Sequence, residues 1–277
     1  MSGIAIVTDG TADIPDELLA HYTIHVVPTY VIIGGKSYID GVDITRNEFY
    51  EGLPQMEPLP TTAAPSSGEF QQLYASLVDK GYDQVLSIHC SSLLSGIYNA
   101  ACIAAQAVGN HIRVVDSQFL SLGLGFQVLA AAEAAVTHPI ESILDILNEV
   151  RPRVRVIAML DTLEYVRRSG RVSWARARIG NLLNLKAFIE VKEGKVLSLG
   201  EGRTRQKSIE RLLELVRKLG PLERLAILHS NAEQDARRML SELDPLLPSE
   251  PLIVNVTTVI GVHVGPNGLG IAAVVKA

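Results

Sequence analysis

The chain has 277 residues, of which 47% are hydrophobic and only 5% aromatic, so it can form one large domain or two of ordinary size with aliphatic cores. Its formal net charge of −5 hides an asymmetry, because residues 1–150 carry −13 and residues 151–218 carry +10. This distribution favours one specific anionic partner and argues against nucleic-acid binding, since the acidic body would repel a phosphate backbone.

The cysteines and the N-terminal residues indicate the cellular compartment in which the protein is expected. Cys90 and Cys102 would join the two ends of one strand–helix unit, which disfavours a disulfide, and no Cys/His cluster has the spacing of a metal site. The N-terminus lacks the pattern of a signal peptide, and the longest apolar stretch, 119–136, contains Gln127 and Glu133. We therefore expect a cytoplasmic protein without a metal, a cofactor or a membrane-inserted segment.

In chain order, the first half alternates between strands and helices. An apolar strand leads into a polar turn at Asp9, Gly10 and Thr11, a second strand region with Pro28 follows, then a hairpin at 34–44 and a proline-punctuated loop at 54–70. The later predicted elements are helix 67–80, strand 82–90, helix 95–108, strand 111–117 and helices 122–136 and 140–150. This alternation predicts a parallel sheet covered by helices, with the carboxyl ends of its strands on one rim.

The second half has a different character. It predicts a strand at 153–160, a hairpin at 187–204 that turns at Gly194, strands at 222–230 and 252–259 around a helix at 232–243, and a closing strand at 268–277. We therefore predict an α/β fold with two domains. Residues 1–151 form an N-terminal α/β domain with a parallel sheet, and residues 152–277 form a C-terminal mixed α+β domain.

Three serines and a glycine lie between a predicted strand and an alanine-rich helix, at Ser91, Ser92, Ser95 and Gly96. One hydroxyl is expected to cap the helix, which is worth ~1 kcal/mol. Capping leaves the other two hydroxyls unexplained. Because free N–H groups and the helix dipole at such a junction favour a negative group, the segment is either an ordinary capped junction or an anion site.

Two further segments offer polar side chains. Thr61 and Thr62 lie in the proline-punctuated loop, where a capped turn is the simpler interpretation. His263 lies in the glycine-rich stretch 261–270, predicted as a loop between two strands. A lone histidine is usually structural, but glycines permit the close backbone approach that a ligand site needs.

Arginines make up the basic segment. Arg167, Arg168 and Arg171 lie within 163–180, and Arg203 and Arg205 follow along the chain. The simplest interpretation is a solvated helix face, but 163–180 contains almost no acids to pair these cations. Common enzyme signatures are absent: there is no Gly-x-Ser-x-Gly, no phosphate-binding Gly-x-x-x-x-Gly-Lys-Ser/Thr, and Gly123–Gly125 lacks the third glycine of a dinucleotide site.

Six segments together resemble the DegV family of bacterial fatty-acid-binding proteins, over essentially the whole chain. The segments are VTDGTADIP (7–15), PTTAAPSSGEF (60–70), SSLLSGIYNAA (91–101), VVDSQFLSLGLG (114–125), LDTLEYVRRSGR (160–171) and VIGVHVGPNGLG (259–270). No single segment is decisive, but six in the expected order are specific. The chain departs from the family at Gly10, which is usually Ser, and at Ala63–Ala64, which is often Ser-Gln. The change at Ala63–Ala64 removes polar groups near the expected site.

The resemblance implies a lipid carrier without catalysis of its own. It implies two domains with a fatty acid in an apolar tunnel between them, and a carboxylate held by Thr62, Ser92 and His263, with Thr61, Ser91, Ser95 and Gly96 nearby. The family presents the acyl group to a separate kinase subunit, which uses ATP to form an acyl phosphate for phospholipid synthesis. The arginines implied in partner contact or phosphoryl chemistry are Arg167, Arg168, Arg171, Arg203 and Arg205.

Two other hypotheses remain open on sequence grounds. One is a serine-dependent acyl hydrolase, with Ser92 or Ser95 as the nucleophile and His263 as the base. The other is a binding module for a small phosphorylated metabolite at the same rim, which would have a small polar pocket instead of a long apolar tunnel.

Overall fold

The computed structural model describes residues 3–176, 185–243 and 250–277, which form two compact units. The first unit contains the described residues up to Thr29, with Ala64–Arg153 and Glu193–Lys195; the second contains those of Tyr30–Ala63, Val154–Lys192 and Val196–Ala277. The parallel sheet lies in the first unit and a mixed sheet in the second, so the predicted fold class is confirmed. The domain limits at residue 151 remain a prediction, and Tyr30–Ala63 belongs to the second unit.

The described strands and helices are numbered here in chain order. The strands are β1 (Ile4–Asp9), β2 (His25–Val27), β3 (Tyr30–Ile33), β4 (Lys36–Ile39), β5 (Thr61–Ala63), β6 (Gln84–His89), β7 (Ile112–Asp116), β8 (Val154–Leu160), β9 (Lys186–Lys192), β10 (Lys195–Gly202), β11 (Leu222–His229), β12 (Leu252–Asn255) and β13 (Leu269–Val275). The helices are α1 (Asp16–His21), α2 (Arg46–Gly52), α3 (Ser67–Asp79), α4 (Ile97–Val108), α5 (Leu122–Ala134), α6 (Ile140–Val150), α7 (Glu164–Ser169), α8 (Ser173–Arg176), α9 (Arg205–Arg217), α10 (Glu233–Glu242) and α11 (Thr258–Val264). Among these helices, none is long and apolar enough to cross a membrane.

The first unit is built on the four-stranded sheet β2-β1-β6-β7, in which all neighbours are parallel. Strands β1 and β6 are almost continuously buried, as expected of parallel strands covered on both faces. Helices α3 and α4 pack against each other, and α5 packs against β1, β6 and α6. The parallel register brings the carboxyl ends of β1, β6 and β7 to the same edge, where the polar residues of this unit collect.

The fully buried carboxylate of Asp9 joins two of these strand ends. It accepts hydrogen bonds from the amide (3.0 Å) and hydroxyl (2.5 Å) of Thr11, from Nδ1 of His89 (3.0 Å) and from the Cys90 amide (3.0 Å). Burial alone would raise the pKa of Asp9, but the bonds from His89, Thr11 and Cys90 hold it below its ordinary value. The carboxylate is therefore ionised, and it fixes the point where the chain leaves β6.

The second unit contains the six-stranded sheet β10-β9-β8-β13-β11-β12. Strand β8 pairs antiparallel with β9 and β13, β13 pairs antiparallel with β11, and β11 and β12 are parallel. Helix α9 packs on β8, β9 and β13, and α10 packs on β11 and β12. Aliphatic side chains such as Leu212, Leu225 and Ile271 fill the core between helices and sheet, in accordance with the low aromatic content.

A small antiparallel sheet, β4-β3-β5, also belongs to the second unit and differs from the sequence prediction. The strand region around Pro28 divides into β2 and β3, which lie in different sheets, since proline lacks the N–H that a continuous ladder requires. The hairpin forms between β3 and β4 around Gly34–Gly35, not within 34–44 as predicted. The predicted loop around Thr62 contains a strand, β5, because Thr62 pairs with Val31 of β3.

Replacing Asp9 with asparagine should destabilise the protein by roughly 3 kcal/mol, because four buried donors lose an ionised acceptor. Asp83→Asn, which makes the same chemical change at an exposed position, should have little effect. Urea unfolding of both variants measures the difference.

The loss should also depend on pH. Because the pKa of Asp9 is lowered by folding, its stabilisation is fully present above the unfolded value of about 3.9 and disappears as the pH falls through the folded value. The gap between wild type and Asp9→Asn should therefore close below about pH 4. An equal loss for Asp9→Asn and Asp83→Asn at neutral pH would contradict this account.

Candidate functional site

Thr62 and His263 form the first pair of candidate residues that the structure brings together. The Thr62 hydroxyl on β5 lies 3.3 Å from Nε2 of His263 on α11. The other ring nitrogen, Nδ1, is buried and has no hydrogen-bond partner among the described residues. The pair therefore presents a hydroxyl and an imidazole with unused capacity to bind a polar group.

The prediction that His263 lies in a loop is wrong, because it lies in the last turn of α11. Two glycines explain the difference. Gly265 adopts a φ of +76°, which ends the helix. Gly261 lies within the helix, at a position where an added Cβ would lie only 2.6–2.7 Å from the phenol group of Tyr50. Glycine at these positions thus allows α11 to end sharply and to pack closely, features that sequence alone cannot distinguish from a flexible loop.

The His263 imidazole is neutral at pH 7. Burial, and to a smaller extent the positive charge of Arg171, lowers its pKa to about 4. If the neutral ring accepts a hydrogen bond from the Thr62 hydroxyl at Nε2, its proton is on Nδ1. In that tautomer Nδ1 is a donor, and the complementary ligand group is an acceptor such as a carboxylate.

The hydroxyls of Ser91 and Ser95 are engaged with the backbone. Ser91 is fully buried; its Oγ donates to the Gly194 carbonyl at 2.9 Å and accepts from the Leu93 amide at 3.3 Å. Ser95 Oγ accepts from the Ile97 amide at 3.4 Å. The expectation that a serine is the N-cap of the following helix is wrong, because Gly96 takes that position without a side-chain cap.

The Ser95 hydroxyl only accepts, so its proton remains available, and Ser92 is the serine of this turn whose hydroxyl makes no hydrogen bond among the described residues. Its amide donates to Oδ2 of Asp116 at 3.2 Å, whereas its hydroxyl has no partner among the described residues and is partly exposed. Ser92 lies in the first unit, and Thr62 and His263 lie in the second. Thr61 is exposed and lies on the opposite face of β5 from Thr62.

The five arginines differ in their partners. Arg167 and Arg168 both pair with Glu164, at 3.4 and 2.5 Å, and Arg205 pairs with Asp161 and Asp235, at 3.0 and 2.6 Å. Arg171 and Arg203 are exposed and have no carboxylate partner among the described residues. The part of the basic segment after Arg176 lies outside the described residues. Arg171 and Arg203 are therefore the better candidates for contact with an anionic partner.

A polar cavity of about 680 Å³ surrounds Arg205 in the second unit. Lys186 also lines it, and pairs with Asp161 at 2.7 Å. Glu233 and Asp235 line the same cavity. Since both cations are paired with carboxylates, the cavity does not offer the free positive charge that a phosphorylated metabolite requires.

Sequence reasoning missed a Ser–His–Asp arrangement in the first unit. Nε2 of His89 lies 2.6 Å from the Ser87 hydroxyl, and Nδ1 contacts Asp9. Because Tyr74 donates to Ser87 at 2.7 Å, the Ser87 proton is directed to His89. The side chains have no exposed surface, so the arrangement is structural. Polar residues at the ends of neighbouring parallel strands were the available signal.

Comparisons with known proteins identify the family. The family model of the uncharacterised DegV proteins matches residues 3–276. The DegV domain-containing protein of Deinococcus radiodurans is 36% identical over 274 residues, which cover 97% of each chain.

Solved structures agree. A fatty-acid-binding DegV family protein from Thermus thermophilus has 34% identity and a TM-score of 0.91, over 99% of this chain and 100% of that one. DegV of Bacillus subtilis, described as a fatty acid binding protein, has 35% identity and a TM-score of 0.87 over 100% of both chains. The chain therefore belongs to the DegV family.

Proposed function

We propose that this protein binds a long-chain fatty acid and holds its carboxylate at Thr62, Ser92 and His263, where the Ser92 hydroxyl and Nδ1 of His263 donate to the carboxylate and the Thr62 hydroxyl, which donates to Nε2, orients the imidazole. The observation that carries the proposal is the Thr62–His263 pair, in which Nδ1 has no partner among the described residues. A carboxylate supplies the missing acceptor. The fatty acid binding attributed to the Thermus thermophilus and Bacillus subtilis relatives supports the same ligand class.

The two ends of the fatty acid contribute differently to the binding free energy. A carboxylate placed in an apolar site without donors would protonate, whereas each hydrogen bond to the charged form contributes about 1.5–3 kcal/mol. The acyl tail contributes ~0.8 kcal/mol for every buried CH₂ group. The polar residues therefore set the orientation of the fatty acid, and the tail provides most of the affinity.

Binding without turnover is the activity that His263 supports. A catalytic histidine is normally oriented by an acid on its second ring nitrogen, and a general base works best with a pKa near the ambient pH. Nδ1 of His263 has no such partner among the described residues, and burial lowers the pKa to about 4. These features argue against the acyl hydrolase hypothesis.

We further propose that the protein is a cytoplasmic carrier that presents the bound carboxylate to an ATP-dependent kinase subunit, which forms an acyl phosphate for phospholipid synthesis. Arg171 and Arg203 support this role, since both are exposed and lack a carboxylate partner among the described residues. A guanidinium group binds phosphate or carboxylate through two parallel hydrogen bonds and stays charged.

Thr62→Val should weaken binding of palmitate by about 10-fold or more, because Nε2 of His263 loses the hydroxyl that keeps the ring proton on Nδ1 for the carboxylate, while the β-branched shape is kept. Thr61→Val is the matched control, since Thr61 lies next along β5 and is exposed. Ser92→Ala should lower the affinity to a similar degree. Fluorescence titration with palmitate measures all three, and unchanged affinity for both Thr62→Val and Ser92→Ala would place the carboxylate elsewhere.

The affinity should depend on pH through His263. A bound carboxylate raises the low pKa of the imidazole, so binding takes up a proton and tightens as the pH falls from 8 towards 5. Because the fatty acid also titrates, the measured quantity is the affinity of the wild type relative to His263→Gln. This ratio should rise by up to tenfold for each unit by which binding raises the pKa. A ratio that stays constant over that range would remove His263 from the carboxylate site.

Arg171→Ala should leave the affinity for palmitate within about twofold and reduce acyl-phosphate formation by about fivefold or more, because an exposed guanidinium acts on the partner and its phosphates. Arg237→Ala removes another exposed arginine, which is paired with Glu233, and should change neither quantity. Lipid binding is measured on the protein alone, and acyl-phosphate formation with a fatty-acid kinase catalytic subunit and ATP. Loss of lipid binding with intact coupling would assign Arg171 to the carboxylate site.

A further inference from the structure

The turn between β9 and β10 contacts the turn formed by residues 91–95, called the serine turn here, which contains Ser92. Residues Glu193–Lys195 belong to the first unit, although they follow one strand of the second unit and begin another. The Gly194 amide donates to the Gln118 carbonyl at 3.1 Å, and the Gly194 carbonyl accepts from Ser91 Oγ at 2.9 Å. Both polar groups of this glycine are therefore used to hold two other segments.

Those two segments determine the backbone position of Ser92. The Ser91 amide donates to the Phe119 carbonyl at 2.9 Å. The Ser92 amide donates to Asp116, whose other carboxylate oxygen accepts from the Gln118 amide at 2.8 Å. Ser92 is thus held through its neighbour Ser91 and through its hydrogen bond to Asp116. Gly194 bonds to Ser91 on the first side and to Gln118, which also bonds to Asp116, on the second.

Glycine is required at position 194 for two reasons. Its φ is +77°, a conformation that residues with a Cβ rarely adopt. A Cβ at this position would also lie 2.8 Å from Ser91 Oγ and 3.3 Å from Cδ1 of Leu93. Ser91 is fully buried and its hydroxyl bonds to the Gly194 carbonyl, so moving the hydroxyl aside would break that bond.

We propose that Gly194 and Ser91 are positioning residues that hold the Ser92 hydroxyl where it recognises the ligand carboxylate, and so determine the selectivity of the protein for a charged head group. The proposal rests on the proposed function, because it assigns the recognition itself to Ser92. It gives Ser91 a role different from that of a ligand contact. The Ser91 hydroxyl donates to Gly194 and accepts from Leu93, whereas the Ser92 hydroxyl makes no hydrogen bond among the described residues.

The test measures selectivity as the affinity for tetradecanoate divided by the affinity for 1-tetradecanol, which has the same tail without the charge. Gly194→Ala should lower this ratio about tenfold, as expected for one lost hydrogen bond to a charged acceptor. Gly220→Ala is the matched control, because Gly220 has a φ of +80° and no atom within 4 Å of an added Cβ. It carries the same backbone strain and should leave the ratio within about twofold of wild type.

Combination with Ser92→Ala separates positioning from direct contact. Once Ser92 has lost its hydroxyl, Gly194→Ala should cause no further loss of selectivity. Ser91→Ala removes the bond to Gly194 without adding atoms, so it serves if Gly194→Ala does not fold. It should lower the ratio in the wild-type background and not in the Ser92→Ala background.

Each outcome decides whether Gly194 and Ser91 position Ser92, act on the ligand directly or have no part in recognition. Equal selectivity of Gly194→Ala, Gly220→Ala and wild type would overturn the proposal. A further loss in the Ser92→Ala background would also overturn it, since Ser91 or Gly194 would then act on the ligand independently. If Ser92→Ala itself leaves the selectivity unchanged, the proposed contact between Ser92 and the carboxylate fails first, and the positioning role fails with it.

Discussion

The ionised carboxylate of Asp9 is the constraint on which the first unit depends. A buried charge is tolerated only when donors converge on it, and four donors from Thr11, His89 and Cys90 do so here. These donors come from the carboxyl ends of two neighbouring parallel strands, so the same interaction that satisfies the charge also fixes where β6 ends. The serine turn begins at the next residue, Ser91, and it inherits that fixed starting point.

Hydrogen bonds within the protein distinguish the residues that shape the candidate site from the residues that remain available to a ligand. The Ser91 hydroxyl donates to Gly194 and accepts from Leu93, and the Ser95 hydroxyl accepts from Ile97, whereas the Ser92 hydroxyl makes no hydrogen bond among the described residues. His263 follows the same logic, because Nε2 is close to Thr62 while Nδ1 lacks a partner among the described residues. A polar atom without a protein partner is costly when buried, and a ligand of complementary chemistry removes that cost.

Local sequence patterns predicted most of the architecture, because strand and helix periodicity depends on neighbouring residues. The alternation in the first half was sufficient for the parallel sheet, and the antiparallel character of the second half was also expected. The patterns failed where a distant partner decides the structure. Thr62 lies in a strand because β3 is available to pair with it, and His263 lies in a helix that ends at Gly265. The role of Ser91 could not be predicted either, since it depends on Gly194, about a hundred residues away.

His89 and His263, which both lie beside hydroxyl groups, explain why the site is better suited to holding a ligand than to transforming it. His89 has the partners of a catalytic histidine, a serine on one nitrogen and an aspartate on the other, but it has no exposed surface. His263 is partly exposed and lies beside Thr62, but it has no acid partner among the described residues and a pKa of about 4. Efficient base catalysis requires both access and a pKa near neutrality. Because the acid partner and the access to solvent belong to different imidazoles, the proposed carboxylate at His263 would be bound and oriented without being converted there.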